Sequence, residues 1–288
     1  MPFASSKKVH HKEESTEQGL IAPRNDETEG LEEDTSFGGT IAAASPPSHY
    51  QLLLTDSALP LGSFAFSSGL ESYLAHHSPT HNGKQSTLYH FMHLSILSLA
   101  STTLPYLTAV FRSPDRLQAL DDELDACLLC PVARRASISQ GRAMLTLWER
   151  SFAGQVDGSI AKTVLQGFSA AFKMPLTDGA HDEQPACHAH FPVVFSVVGL
   201  ALGLSLRETA YTYLLNHVKT VASAAVRASV LGPYAAQGLL ASKWVRAEIE
   251  RAIDRDWDSG VEQAGQTIPP LDVWIGRHEL LYSRIFNS

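Results

Sequence analysis

Histidine, cysteine and carboxylate residues crowd one short run, His181-Asp182-Glu183-Gln184-Pro185-Ala186-Cys187-His188-Ala189-His190. Imidazole and thiolate together suit nickel, zinc or copper, and the carboxylates could complete a coordination shell. The spacing matches no closed structural site. The run therefore reads as a polar loop leading into the apolar Phe191–Leu204 segment, with no firm metal ligand and with Cys187, His188 and His190 as weak candidates. Cys127-Leu128-Leu129-Cys130 has Cys-x-x-Cys spacing. It lacks the second pair that zinc needs and the strand–helix setting of a redox motif, so two packed helical cysteines are expected. His76-His77, His90 and His93 default to packing or to exposed faces.

Other reaction chemistry is not advertised. Gly83-Lys84 has no glycine five residues before Gly83, and Gln85 follows where Ser or Thr would bind magnesium, so a phosphate-cradling loop is missing. No Gly-x-Ser-x-Gly elbow and no His-Glu-x-x-His helix occurs; His278-Glu279 lacks the second histidine. What remains is a set of surfaces. Arg135, Ser139 and Arg142 share one side of a helix at i, i+4 and i+7, and Gly141 permits close helix approach.

The elements that must carry these residues are helical. Residues 1–48 hold four Lys/Arg against nine Asp/Glu and few large apolar side chains, and are read as a disordered acidic tail. Residues 49–288 are read as a single all-α, helical-bundle-like domain. With most of the formal charge of −8 in the tail, there is no electrostatic case for nucleic acid. Leu88–Phe111 and Phe191–Leu206 carry no Asp, Glu, Lys or Arg. The first is too polar and the second too short for a span of roughly 20 apolar residues, so core helices are expected and no membrane. Three cysteines fit a reducing, cytoplasmic setting.

Caps and periodicity divide the domain. Ser113-Pro114 offers a helix start before Leu117, Leu120, Leu124 and Leu128. Ser205-Leu206-Arg207-Glu208 has capping-box spacing, and Leu231-Gly232-Pro233 ends the helix that follows. One helix is expected from about Tyr234 to Trp257. A terminal helix is expected to place Trp274, His278, Leu281 and Ile285 on one stripe. Met174–His190 and Ser259–Pro270 read as loops.

Four separated motifs carry a resemblance. They are Ser57–Glu71, with Leu59, Pro60, Gly62, Phe64 and Ser68; Ser137-x-x-Gln140-Gly141-Arg142; His190–Phe195 with Gly199 and Leu202-Gly203-Leu204; and Ser223–Arg227 with Leu231-Gly232 and the closing His278–Ser288. In order and rough spacing they resemble the urease accessory protein family UreF. The resemblance implies an all-helical, dimeric, non-enzymatic assembly factor. It implies partners of UreD (UreH) type, a UreG-type GTPase and apo-urease. Nickel would be handled transiently by the complex, with no stably bound cofactor, and GTP would be held by the partner. The implied partner-binding residues are Leu59, Pro60, Gly62, Phe64, Ser68 and Glu71 in the first motif. They continue with Arg135, Gln140, Gly141 and Arg142 on the basic helix, and with His278, Glu279, Tyr282, Arg284 and Phe286 at the C-terminus. Two rival readings stand beside it: a metallochaperone holding nickel on the 181–190 loop, and an all-α enzyme with an unadvertised site.

The missing phosphate loop sets a first expectation. Calorimetry of the purified chain with GTP and magnesium should show no saturable heat, and micromolar binding by this chain alone would contradict it.

Overall fold

A computed structural model describes residues 48–76, 83–173 and 187–287. The acidic tail up to residue 47, His77 and the first part of the His-rich run, His181–Ala186, lie outside the described residues. The described chain forms eleven α-helices and no strand: α1 (His49–Leu54), α2 (Leu70–His76), α3 (Gly83–Arg112), α4 (Leu117–Cys127), α5 (Pro131–Leu147), α6 (Ile160–Lys173), α7 (Phe191–Ala201), α8 (Leu206–Arg227), α9 (Pro233–Leu240), α10 (Lys243–Asp256) and α11 (Pro269–Arg277).

Helix α7 is the axis of the core. Its residues Phe191 to Gly199 are all buried, walled in by α3, α4, α5, α6 and α8. A helix apolar all round has no face to give to water, so neighbours must surround it. Its one hydroxyl, Ser196, donates to the Leu107 carbonyl at 2.7 Å and so costs little to bury.

Helix α3 runs through a proline. Pro105 has no N–H to give the Ser101 carbonyl one turn back. The Gly265 N–H bonds that carbonyl instead, at 3.2 Å, tying the long 259–268 connection to α3. Over Gln85–Arg112 this helix is long and apolar enough to cross a membrane, yet 67% of its most apolar stretch is buried inside the fold. Its apolar length is core.

The capping box at Ser205 and Glu208 forms as expected, with both reciprocal bonds. Three boundaries differ. Ser113 makes no side-chain cap; a single 3₁₀ turn, Pro114–Arg116, precedes α4. The expected helix over 234–257 is two, because Ser242 caps a new start by accepting from the Val245 N–H at 3.2 Å. The expected terminal helix stops at Arg277, followed by a 3₁₀ turn, His278–Leu280, and a non-helical strap over 281–287. Trp274 and His278 share an inward side, but Leu281 and Ile285 are not helical: the Leu281 N–H closes the 3₁₀ turn on the His278 carbonyl, and the Ile285 N–H goes to Glu71.

Candidate functional site

The described end of the His-rich run is anchored from α4. Asp121, wholly buried, accepts three backbone N–H bonds: His188 at 2.6 Å, Ala189 at 2.8 Å and His190 at 2.7 Å. Ala189 sits in the left-handed region, at φ 63°. That conformation costs a non-glycine residue about 1–2 kcal/mol, and charge-assisted bonds of this kind, about 1.5–3 kcal/mol each, offset it. One turn on, Asp125 joins Arg134 through two bonds of 2.6 Å and takes His190 Nε2 at 3.0 Å. His190 Nδ1 meets Ser137 Oγ at 3.1 Å. Burial pushes the Asp125 carboxyl up, but the bonds from Arg134 and His190 outweigh it and hold the group below its ordinary range. Burial pushes the His190 imidazole down.

Two of the three weak metal candidates are thus engaged within the fold. Both His190 nitrogens are bonded, and Cys187 Sγ faces the Phe168 carbonyl, its thiol pushed up to about 11 chiefly by burial. A thiol in that state is a poor thiolate ligand. His188 is buried, with Nδ1 at 3.5 Å from Asp125. No group of three His, Cys, Asp or Glu side chains among the described residues is arranged to hold a metal ion. The other cysteine pair differs from the helical expectation. Cys127 ends α4 within 3.1 Å of the Tyr106 hydroxyl, and Cys130 is the buried residue before α5, so the pair brackets a loop.

On α5, Gly141 is where that helix meets the start of α7. A Cβ there would fall onto the Ala189 carbonyl oxygen and come within 2.7 Å of the Phe191 nitrogen. Gly141 is therefore a packing residue, buried rather than presented. Arg135 and Arg142 are exposed. Arg135 pairs with Glu279, and the Arg142 guanidinium lies 5.0 Å from the Phe172 ring centre. Gln140, half-buried, faces inward to a cavity.

The first and last motifs of the chain meet. Glu71, on α2, accepts from His278 Nε2 at 2.8 Å, from the Ile285 N–H at 2.7 Å and from the Phe286 N–H at 3.3 Å. The Asn287 N–H reaches the Ala65 carbonyl at 2.8 Å. Arg227, closing α8, bonds the Phe64 carbonyl and stacks on Phe286, 4.1 Å from the ring centre. Gly62, at φ 68°, supplies the left-handed step that turns the chain into Phe64. Leu59 is half-buried and Pro60 exposed beside it, while Ser68 adopts φ 52° ahead of α2.

Exposure sorts the predicted residues. Phe286 and His278 are buried, so both belong to the clamp rather than to an outer surface. Phe64 (67% exposed), Ile285 (59%) and Tyr282 (fully exposed) are left outward, and Arg284 is exposed as well. Asp121 and Asp125 were missed by sequence reasoning, since acidic residues on an amphipathic helix read as a solvated face. The one hint was position: Asp121 shares the i, i+4 side of Leu117 and Leu124 rather than the opposite one.

On this all-helical body the motif residues meet in buried clamps, while Phe64, Ile285 and Tyr282 are exposed. The UreF family profile matches residues 84–242. A urease accessory protein UreF-like protein of Schizosaccharomyces pombe is 35% identical over 240 residues, covering 83% of this chain and 97% of that protein. Urease accessory protein F of Oryza sativa subsp. japonica is 33% identical, covering 89% and 90%. Urease accessory protein UreF of Paenarthrobacter aurescens is 31% identical, covering 83% and 98%. The chain belongs to the UreF family, a family of accessory factors rather than enzymes.

Two outcomes follow from this geometry. Gly141→Ala should lower stability by about 1–3 kcal/mol in urea denaturation, because backbone rather than a flexible side chain blocks the added methyl. An unchanged midpoint would show that α5 and α7 can separate freely. The second concerns pH. Burial holds His190 low and pushes His217 to about 4. The unfolded chain takes up protons below about pH 6.5 that these folded residues refuse. Stability should be full above that pH and fall as the pH descends towards 4, with His217→Leu flattening the decline. A midpoint independent of pH across that window would contradict it.

Proposed function

We propose that this chain is a non-enzymatic scaffold for urease assembly. With UreD (UreH)-type and UreG-type partners it promotes nickel insertion into apo-urease, in the cytoplasm and as a homodimer. Its role in the complex is to present surfaces, with GTP held by the UreG-type partner and nickel passing through transiently. Membership in a family named for urease accessory proteins supports the role in urease assembly.

One observation carries the placement of the contact. Two segments 207 residues apart in sequence are fastened by Glu71 into one patch with Phe64, Ile285 and Tyr282 outward. Large exposed apolar side chains on an ordered frame are what a partner can bury at low entropic cost. We assign this patch to the UreD-type partner. The outer face of α5, with Arg135 and Arg142, is assigned to a second protein contact. The metallochaperone reading loses support because Cys187 and His190 already have partners in the fold.

The test is co-purification with UreD and UreG homologues from the same source, followed by urease activation. Tyr282→Ala and Phe64→Ala should each weaken partner capture by about 1–3 kcal/mol and leave the unfolding midpoint unchanged. Phe286→Ala should lower the midpoint itself, because it empties the clamp. Unaltered capture by a folded Tyr282→Ala, Phe64→Ala double variant would remove the patch from the interface.

A further inference from the structure

A cavity of about 160 Å³ opens between α3, α5, α8, α11 and the 66–68 segment. Three of the segments that carry family motifs reach it, through Ser68, Gln140 and Phe191. Its walls are mostly apolar, from Leu99, Phe191, Tyr213, Leu271 and Ile275. An apolar cavity of roughly 150 Å³ is enough to hold benzene.

Polar side chains are interspersed on the wall, but several already have partners in the fold: Ser98 bonds Gln266, Thr102 and Thr103 bond α3 carbonyls, and Asn216 bonds the Leu54 carbonyl. His217 lines the cavity, with Nε2 engaged by Ser95 Oγ at 2.7 Å. Burial pushes its imidazole down to about 4, so at neutral pH it is an uncharged donor and acceptor. Asp272 is the one carboxyl among the described lining residues. Burial pushes its pKa up, although Gln266 bonds it. No Lys or Arg is among the described lining residues. A buried anion would meet no cation there, and the cost of desolvating it would go uncompensated. An uncharged ligand with one hydroxyl meets ring and aliphatic walls together with a hydrogen-bonding pair. A pocket whose surface is mainly carbon, with fixed polar groups to set orientation, is the usual form of a small-molecule site.

We propose that this cavity binds a small uncharged aromatic molecule bearing a hydroxyl, of phenol's size, with the hydroxyl on the His217–Ser95 pair and the ring among Leu99, Phe191, Tyr213 and Ile275. The site does not depend on the assignment of partners above, and its test needs none of them.

The probes are phenol and benzoate, titrated into the full chain by calorimetry and by ligand-observed NMR. Phenol should saturate with a Kd of about 1 mM or tighter, and benzoate should bind at least about tenfold more weakly. Ala136→Phe, which fills the cavity from α5, and His217→Leu, which removes the polar end, should each weaken phenol about tenfold or more while cooperative melting is retained. If Ala136→Phe does not fold, Ala136→Leu carries the same test with a smaller insertion. Absent saturation, equal affinity for benzoate, or unchanged phenol binding in a folded Ala136 variant would overturn the proposal.

Discussion

A helix buried on every side needs its first turn fixed by something other than water. The N–H groups that lead into α7 have no intrahelical acceptors, and leaving them bare in the interior would cost about 1–3 kcal/mol apiece. Asp121 takes three of them on one carboxylate. That single side chain fixes the position of α7 against α4. Arg134, Asp125, Ser137 and His190 then extend the attachment to α5. The core helices α3, α6 and α8 pack around an axis whose start is already set. A polar cluster inside an apolar core is tolerated here because its members satisfy one another.

The same residues answer a chemical question. Histidine and cysteine close in sequence invite a metal, yet a ligand must have its donor atoms free. At 187–190 the backbone is gathered by one carboxylate, the His190 imidazole is held between α4 and α5, and the Cys187 thiol is kept protonated by burial. At 187–190 these groups serve the architecture.

The C-terminal strap obeys a related rule with a different outcome. Glu71 again uses one carboxylate to gather backbone N–H groups and an imidazole, but at the edge of the body. Phe286 is pinned beneath Arg227, while Tyr282 and Ile285 stay outside. The clamp orders the frame, and ordering the frame before binding lowers the entropic cost of forming an interface. Fold and proposed function are therefore linked through one residue whose neighbours come from both ends of the described chain.

The sequence by itself determined the helical class, because 3.6-residue periodicity, the Ser205–Glu208 capping box and the apolar Phe191–Leu204 run are local signals read without any tertiary knowledge. Family motifs named Glu71, Gly141, His190 and His278 as important, and their chemistry limited what each could do. Only the tertiary structure decided what each one does. Gly141 is small because the Ala189 backbone crosses it, and Asp121 is interior because α7 begins above it. Past the terminal helix, Glu71 takes the Ile285 and Phe286 N–H groups that i−4 carbonyls would hold in a continuing helix. Such outcomes depend on residues tens to hundreds of positions apart. Local spacing sets a segment's preferences, but long-range partners fix where its hydrogen bonds go.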